Sequence, residues 1–129
     1  MSSALNEHIE RVRVTLSDDS NDRAIIEQVI VSTVTLLNGS MLVDRENLKV
    51  PVKGYGRNLL HNDPLFGFVI VAMVWPPNEG TPIHDHGTWG VVGIVEGGLS
   101  VTNYIRNDDG SQPGHASLTE LGTISARAG

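Results

Sequence analysis

Gly80-Thr81-Pro82-Ile83-His84-Asp85-His86-Gly87-Thr88-Trp89-Gly90 sets two histidines two positions apart, between a proline and a glycine. On an extended strand, residues i and i+2 face the same side, so both imidazoles can reach one metal ion while Asp85 points away. Asp85 is then no ligand. What is left to it is a turn contact, or a hydrogen bond that fixes a histidine tautomer. A lone His-x-His equally describes two surface histidines near a turn, and the spacing alone leaves both readings open.

Outward from this stretch the texture is that of strands and turns. Downstream, Trp89 to Val95 and Leu99 to Ile105 read as two strands joined at Glu96-Gly97-Gly98, a hairpin. Asn107 to Gly114 is dense in Asn, Asp, Gly and Pro and predicts a turn region, after which Ser117 to Ala126 forms one or two further strands. Upstream, Phe66 to Trp75 is rich in Val and Ile and predicts a strand, with Pro76-Pro77-Asn78-Glu79-Gly80 as the loop that follows it. The β texture begins at about Asn47.

The first third differs. Leu5, Ile9, Val12 and Leu16 recur at steps of three or four and predict one helix with a single apolar stripe. The polar run Ser17-Asp18-Asp19-Ser20-Asn21-Asp22 offers N-caps for a second helix, with apolar positions Ile25, Ile26, Val29, Ile30, Val34 and Leu37 and a stop at Gly39. Nothing chemical repeats along either helix, so both read as a structural cap. Two helices followed by many short strands predict an all-β sandwich or barrel with a helical N-terminal cap.

Composition narrows the function. A chain of 129 residues suits one domain, and its 40% hydrophobic and 19% charged content is that of a water-soluble globular protein. No run approaches the roughly 18 apolar residues of a membrane span. Met1 leads into Ser-Ser-Ala-Leu-Asn-Glu-His without the basic and apolar regions of a secretory signal, so a cytoplasmic location is expected. The absence of cysteine excludes thiolate metal sites, disulfides and cysteine nucleophiles, leaving His and carboxylate as metal donors. A net charge of −6 without a Lys or Arg cluster argues against nucleic acid as a partner.

The glycine and proline before His84-Asp85-His86, and the glycine-rich stretch Val91 to Leu99 after it, resemble the first cupin motif. The cupin glutamate expected a few residues after the second histidine is absent, and Gly90 lies about where it belongs. Thiol dioxygenases are cupins that lack this glutamate and hold iron with three histidines. Tyr55-Gly56-Arg57-Asn58-Leu59-Leu60, an apolar strand ending at Trp75, and Thr81 to His86 together resemble the cysteine dioxygenase pattern. The resemblance runs from about Leu37 to Gly98. It implies a mainly β double-stranded β-helix, or jelly roll, forming a single cupin domain over 1–129, with 1–45 as helical cap and 46–129 as the barrel portion.

It further implies that His84 and His86 bind Fe(II), that Arg57 pairs with the substrate carboxylate, and that L-cysteine and O2 are converted to cysteine sulfinic acid. A guanidinium suits that task because it can grip a carboxylate through two parallel charge-assisted hydrogen bonds. The related mercaptopropionate dioxygenases have glutamine where Arg57 stands, which favours cysteine. Tyr55 lines the same pocket or packs at the strand start, and Trp75 and Trp89 read as barrel packing. His8, His61 and His115 read as solvated histidines outside any site.

Two departures from the family accompany these expectations. Nothing after His115 supplies the third histidine of the second cupin motif, so the barrel is expected to be incomplete in this chain and the 129 residues a C-terminally truncated piece. A cysteine-free chain also cannot form the cysteine–tyrosine crosslink of mammalian-type enzymes, which fits a bacterial type. The alternatives are a metal-binding or regulatory cupin without catalysis, a mercaptopropionate-type dioxygenase, and a cupin enzyme of another chemistry.

Overall fold

The computed structural model describes residues 3–18, 20–39 and 48–128, and its chain divides into two units, Met1–Val91 and Val92–Gly129. Asp19, Asn47 and the expected boundary between 45 and 46 lie outside the described residues.

The first unit begins with α1 (Ser3–Ser17), whose Leu5, Ile9 and Val12 are buried and whose Leu16 is half-buried, as the apolar stripe predicts. α2 (Asp22–Leu37) starts at Asn21, the member of the polar run that caps: its side chain accepts from the Ala24 N–H at 2.9 Å. Such a cap contributes about 1 kcal/mol. Asp22 in the first turn adds a favourable charge at the positive end of the helix dipole.

At the other end Gly39 follows the Asn38 cap, as expected of a stop, and donates to the Leu36 carbonyl at 3.1 Å. A Cβ at Gly39 would sit 3.2 Å from that oxygen and 3.3 Å from the Ala4 Cβ, so close approach of α1 is what calls for glycine there.

Of the apolar positions read for α2, only some face the core. Ile25, Val29, Ser32 and Leu36 point inward, whereas Ile30 and Val34 are 46% and 52% exposed. The helix is apolar nearly all round, so periodicity does not select a face. The seam is set by a polar contact, Ser32 against His8 of α1.

Both helices pack on one face of an antiparallel pair, β1 (Gly56–Asn62) and β2 (Val69–Val74). Leu60, Phe68 and Ile70 meet the Leu5, Ile9 and Leu36 cluster, and Phe68 also meets Val12, Ile25 and Val29, together with Trp89 and Val91. Trp89 therefore packs against the helices, not within the barrel expected for it. The turn between the strands is organised by Asp63, whose carboxylate accepts from the Phe66 N–H while its main chain bonds Phe68 and Gly67. Gly67 lies at φ 73°, a conformation glycine adopts without strain.

The second unit is one hairpin, β3 (Gly98–Arg106) paired antiparallel with β4 (Leu118–Arg127), and a register shift at Asn103/Tyr104. Leu99 to Ile105 is thus a strand, but its partner is not Trp89 to Val95, which forms no strand. Gly90 and Gly93 weaken that segment as a ladder member.

The Asn107 to Gly114 turn region forms as expected. Asp108 locks it by taking both Arg106 Nε and Nη2 at 2.9 Å and the Ser117 and Gly110 N–H groups. The Arg106 hydrogen bonds, foremost, hold the Asp108 carboxyl well below the usual carboxylate range.

Among the described residues the architecture is therefore two helices with two short antiparallel sheets and no closed barrel. No described helix is long and apolar enough to cross a membrane.

Candidate metal centre

His84 and His86 lie in the first unit, in the connection that follows β2. They are not on a strand: residues 81–86 join no ladder. The expected strand alternation is therefore not what directs the two rings, yet their centroids stand 4.9 Å apart at an interplanar angle of 67°. Pro82 and Gly87 bracket this run: the proline ring restricts φ on one side, and Gly87, at φ 65°, allows the turn on the other.

His84 has a defined orientation. Its Nδ1 lies 2.7 Å from the Pro82 carbonyl oxygen. A carbonyl only accepts, so Nδ1 carries the hydrogen, and in the neutral ring the lone pair is on Nε2. This is the support a metal-binding imidazole needs, and it comes from the main chain. Asp85, expected to supply such a bond, has no hydrogen-bond or ion-pair partner among the described residues. All three side chains are exposed.

The spacing can be compared with what one ion requires. Two imidazoles side by side on a first-row metal have nitrogens about 2.1 Å from the ion and ring centres roughly 1.1 Å further out. For bond angles of about 90° to 110° their centres are then about 4.5 to 5.2 Å apart. The observed 4.9 Å fits that interval. The pair is two donors, however, and among the described residues no group of three or more His, Cys, Asp or Glu is placed to hold a metal ion.

Arg57 stands on β1 opposite Met73, and Leu59 stands opposite Val71. Arg57 and Leu59 are exposed, whereas Leu60, Phe68 and Ile70 pack against the helix clusters, so Arg57 belongs to the sheet face turned away from the helices. Its guanidinium has no hydrogen-bond or ion-pair partner among the described residues, which leaves its N–H donors free for an anion.

Tyr55 and Trp75 flank the same hairpin end, with ring centroids 5.9 Å apart and tilted by 35°. Tyr55 thus has a packing partner and is also 40% exposed.

Two histidines expected to be solvated are not. His8 is buried against Ser32, and His61 lies 5.6 Å from the Phe68 ring and donates from Nε2 to Asp63 at 2.9 Å. Asp63, 2% exposed, also takes Arg13 Nε at 2.8 Å, tying α1 to the β1–β2 turn. The signal for His8 was in the sequence: it falls on the stripe of Leu5, Ile9 and Val12 at helical spacing. No local signal joins Arg13 to Asp63. His115 is exposed in its loop, as expected. No family model matches the chain.

Proposed function

We propose that this chain is a non-heme Fe(II)-dependent thiol dioxygenase of the cupin type, acting on L-cysteine with O2 to give cysteine sulfinic acid. The observation that carries the reading is the convergence of His84 and His86 at 4.9 Å, with the Pro82 carbonyl leaving Nε2 of His84 as the lone-pair nitrogen.

In this proposal His84 and His86 hold Fe(II) together with a third donor from outside the described residues. The metal, when bound, supplies the site at which thiolate and O2 meet. Arg57, with no partner of its own, orients the substrate carboxylate through charge-assisted hydrogen bonds, and the Tyr55–Trp75 pair forms an aromatic wall beside it. The reading includes a cytoplasmic location and neither nucleic acid nor membrane as partner.

Oxygen uptake by the Fe(II)-loaded protein tests it: consumption of one O2 per sulfinate formed from L-cysteine is expected. A second reading, a metal-binding or regulatory cupin without catalysis, is favoured by the exposure of both histidines and by the two-donor set. Metal binding without oxygen uptake across a panel of thiols selects it.

The role of Arg57 has its own test. Arg57→Gln should raise the KM for cysteine by about tenfold to hundredfold, the weight of hydrogen bonds to a charged group, with a much smaller effect on mercaptopropionate. Equal effects on both thiols would remove Arg57 as the residue that selects cysteine.

A further inference from the structure

His8 is a titratable group buried where two helices meet, and the proposed oxidation makes no use of it. It is 5% exposed, and its Nδ1 lies 2.7 Å from the Ser32 hydroxyl of α2. A neutral imidazole suits this position: one nitrogen is satisfied by Ser32, and the other has no hydrogen-bond partner among the described residues but is not sealed from water. A second proton would put a positive charge between packed helices, where an unpaired ion is costly.

The neighbouring elements offer that charge no carboxylate of its own. On α1, Glu7 is engaged with Arg11 and Glu10 with Arg13; on α2, Glu27 is engaged with Arg23. At the β1–β2 turn, Asp63 is committed to Arg13 and His61. Burial foremost pushes the His8 imidazole below its ordinary 6.5; a hydrogen bond with the Ser32 main chain works against this, and the charge of Arg11 adds to it.

We propose that His8 is an acid-operated latch of the α1–α2 hairpin, closed while its ring sits neutral and buried between the helices and loosened when the ring takes a second proton there. A histidine that resists protonation when folded contributes stability that is complete above about pH 6.5 and is lost as pH falls from there toward its folded value.

The second attachment of α1 is indifferent to that change. Burial works to raise the Asp63 pKa, but hydrogen bonds from His61, the Phe66 N–H and Arg13 outweigh it and hold the group at about 2. Its contribution is present above about 3.8 and fails only as pH falls toward 2. His61 donates to it from Nε2 in either charge state. Mild acid therefore loosens the α1–α2 contact while α1 stays on the β1–β2 turn.

Amide hydrogen exchange of the whole chain from pH 7.5 to 5.0, corrected for intrinsic rates, reads the latch alongside an NMR titration of His8. Protection at the α1–α2 interface should fall at least tenfold, with a midpoint below 6.5, while β1–β2 amides hold. His8→Gln should abolish the pH dependence, and Ser32→Ala should move the His8 midpoint lower. Helix protection constant across the range would overturn the proposal. So would an undiminished loss in His8→Gln, or an unmoved midpoint in Ser32→Ala if the first variant does not fold.

Discussion

Alanine in place of His84 is expected to remove Fe(II) from the protein. The ring offers Nε2 because Nδ1 is tied to the Pro82 carbonyl, so truncation deletes both the donor and the support that aims it. Losing a supporting partner alone costs about 10- to 100-fold in metal affinity, and loss of the ligand itself should exceed that. His86→Ala should behave alike, since a lone imidazole on an exposed loop holds a divalent ion weakly.

Asp85→Asn is the control. Its carboxylate has no partner among the described residues, so iron content there should stay within about threefold of the parent. Iron content after anaerobic loading, measured by elemental analysis, decides the matter. A His84→Ala protein that retains its iron would mean that the metal, if any, is held elsewhere.

Ile9→Ala carries the largest expected cost in stability, about 2 to 5 kcal/mol in urea unfolding. Ile9 is 4% exposed and shares a cluster with Leu5 and Leu36, against which Leu60 and Ile70 of the sheet also pack. Its removal opens a cavity where α1, α2 and β1–β2 meet, and the surrounding elements cannot all move in to fill it. Val14, on the same helix but 69% exposed, gives the comparison: Val14→Ala should change stability by no more than about 0.5 kcal/mol. A similar cost at both positions would show that α1 docks by another face.

The contrast between α1 and α2 shows what could be read in the sequence. α1 has charged residues on every face but one, so its apolar residues name the buried side. α2 is apolar on several faces, and its inward side depends on Ser32 meeting a histidine 24 residues earlier, which no window along the chain contains.

The strands show the same limit. Leu99 to Ile105 and Ser117 to Ala126 were legible as extended segments, but pairing is a choice among partners. Trp89 to Val95 was the wrong one, because glycines weaken it as a strand and because Trp89 and Val91 are taken up by the helix cluster. At the candidate site, the spacing singled out His84 and His86 together, and their rings do lie side by side. The reason expected for it, alternation along a strand, was not the one found, and the Pro82 carbonyl as orienting partner had no signature in the side chains. Arg57 stood out only through the resemblance, its place on β1 and its lack of a partner being visible only in the fold, and the Arg13 partner of Asp63 was not legible at all.

Asp63 gathers its partners from two very different distances along the chain. His61 and the Phe66 N–H are two and three residues away, whereas Arg13 is fifty away. Closing the near contacts takes little chain entropy and closing the far one takes much more, so the turn can assemble while α1 is still unattached. In kinetic terms the carboxylate becomes a preset anchor, and the arrival of the Arg13 guanidinium is a late event. Arg13→Leu should therefore leave the folding rate nearly unchanged and show its effect in faster unfolding, a division that stopped-flow mixing measures.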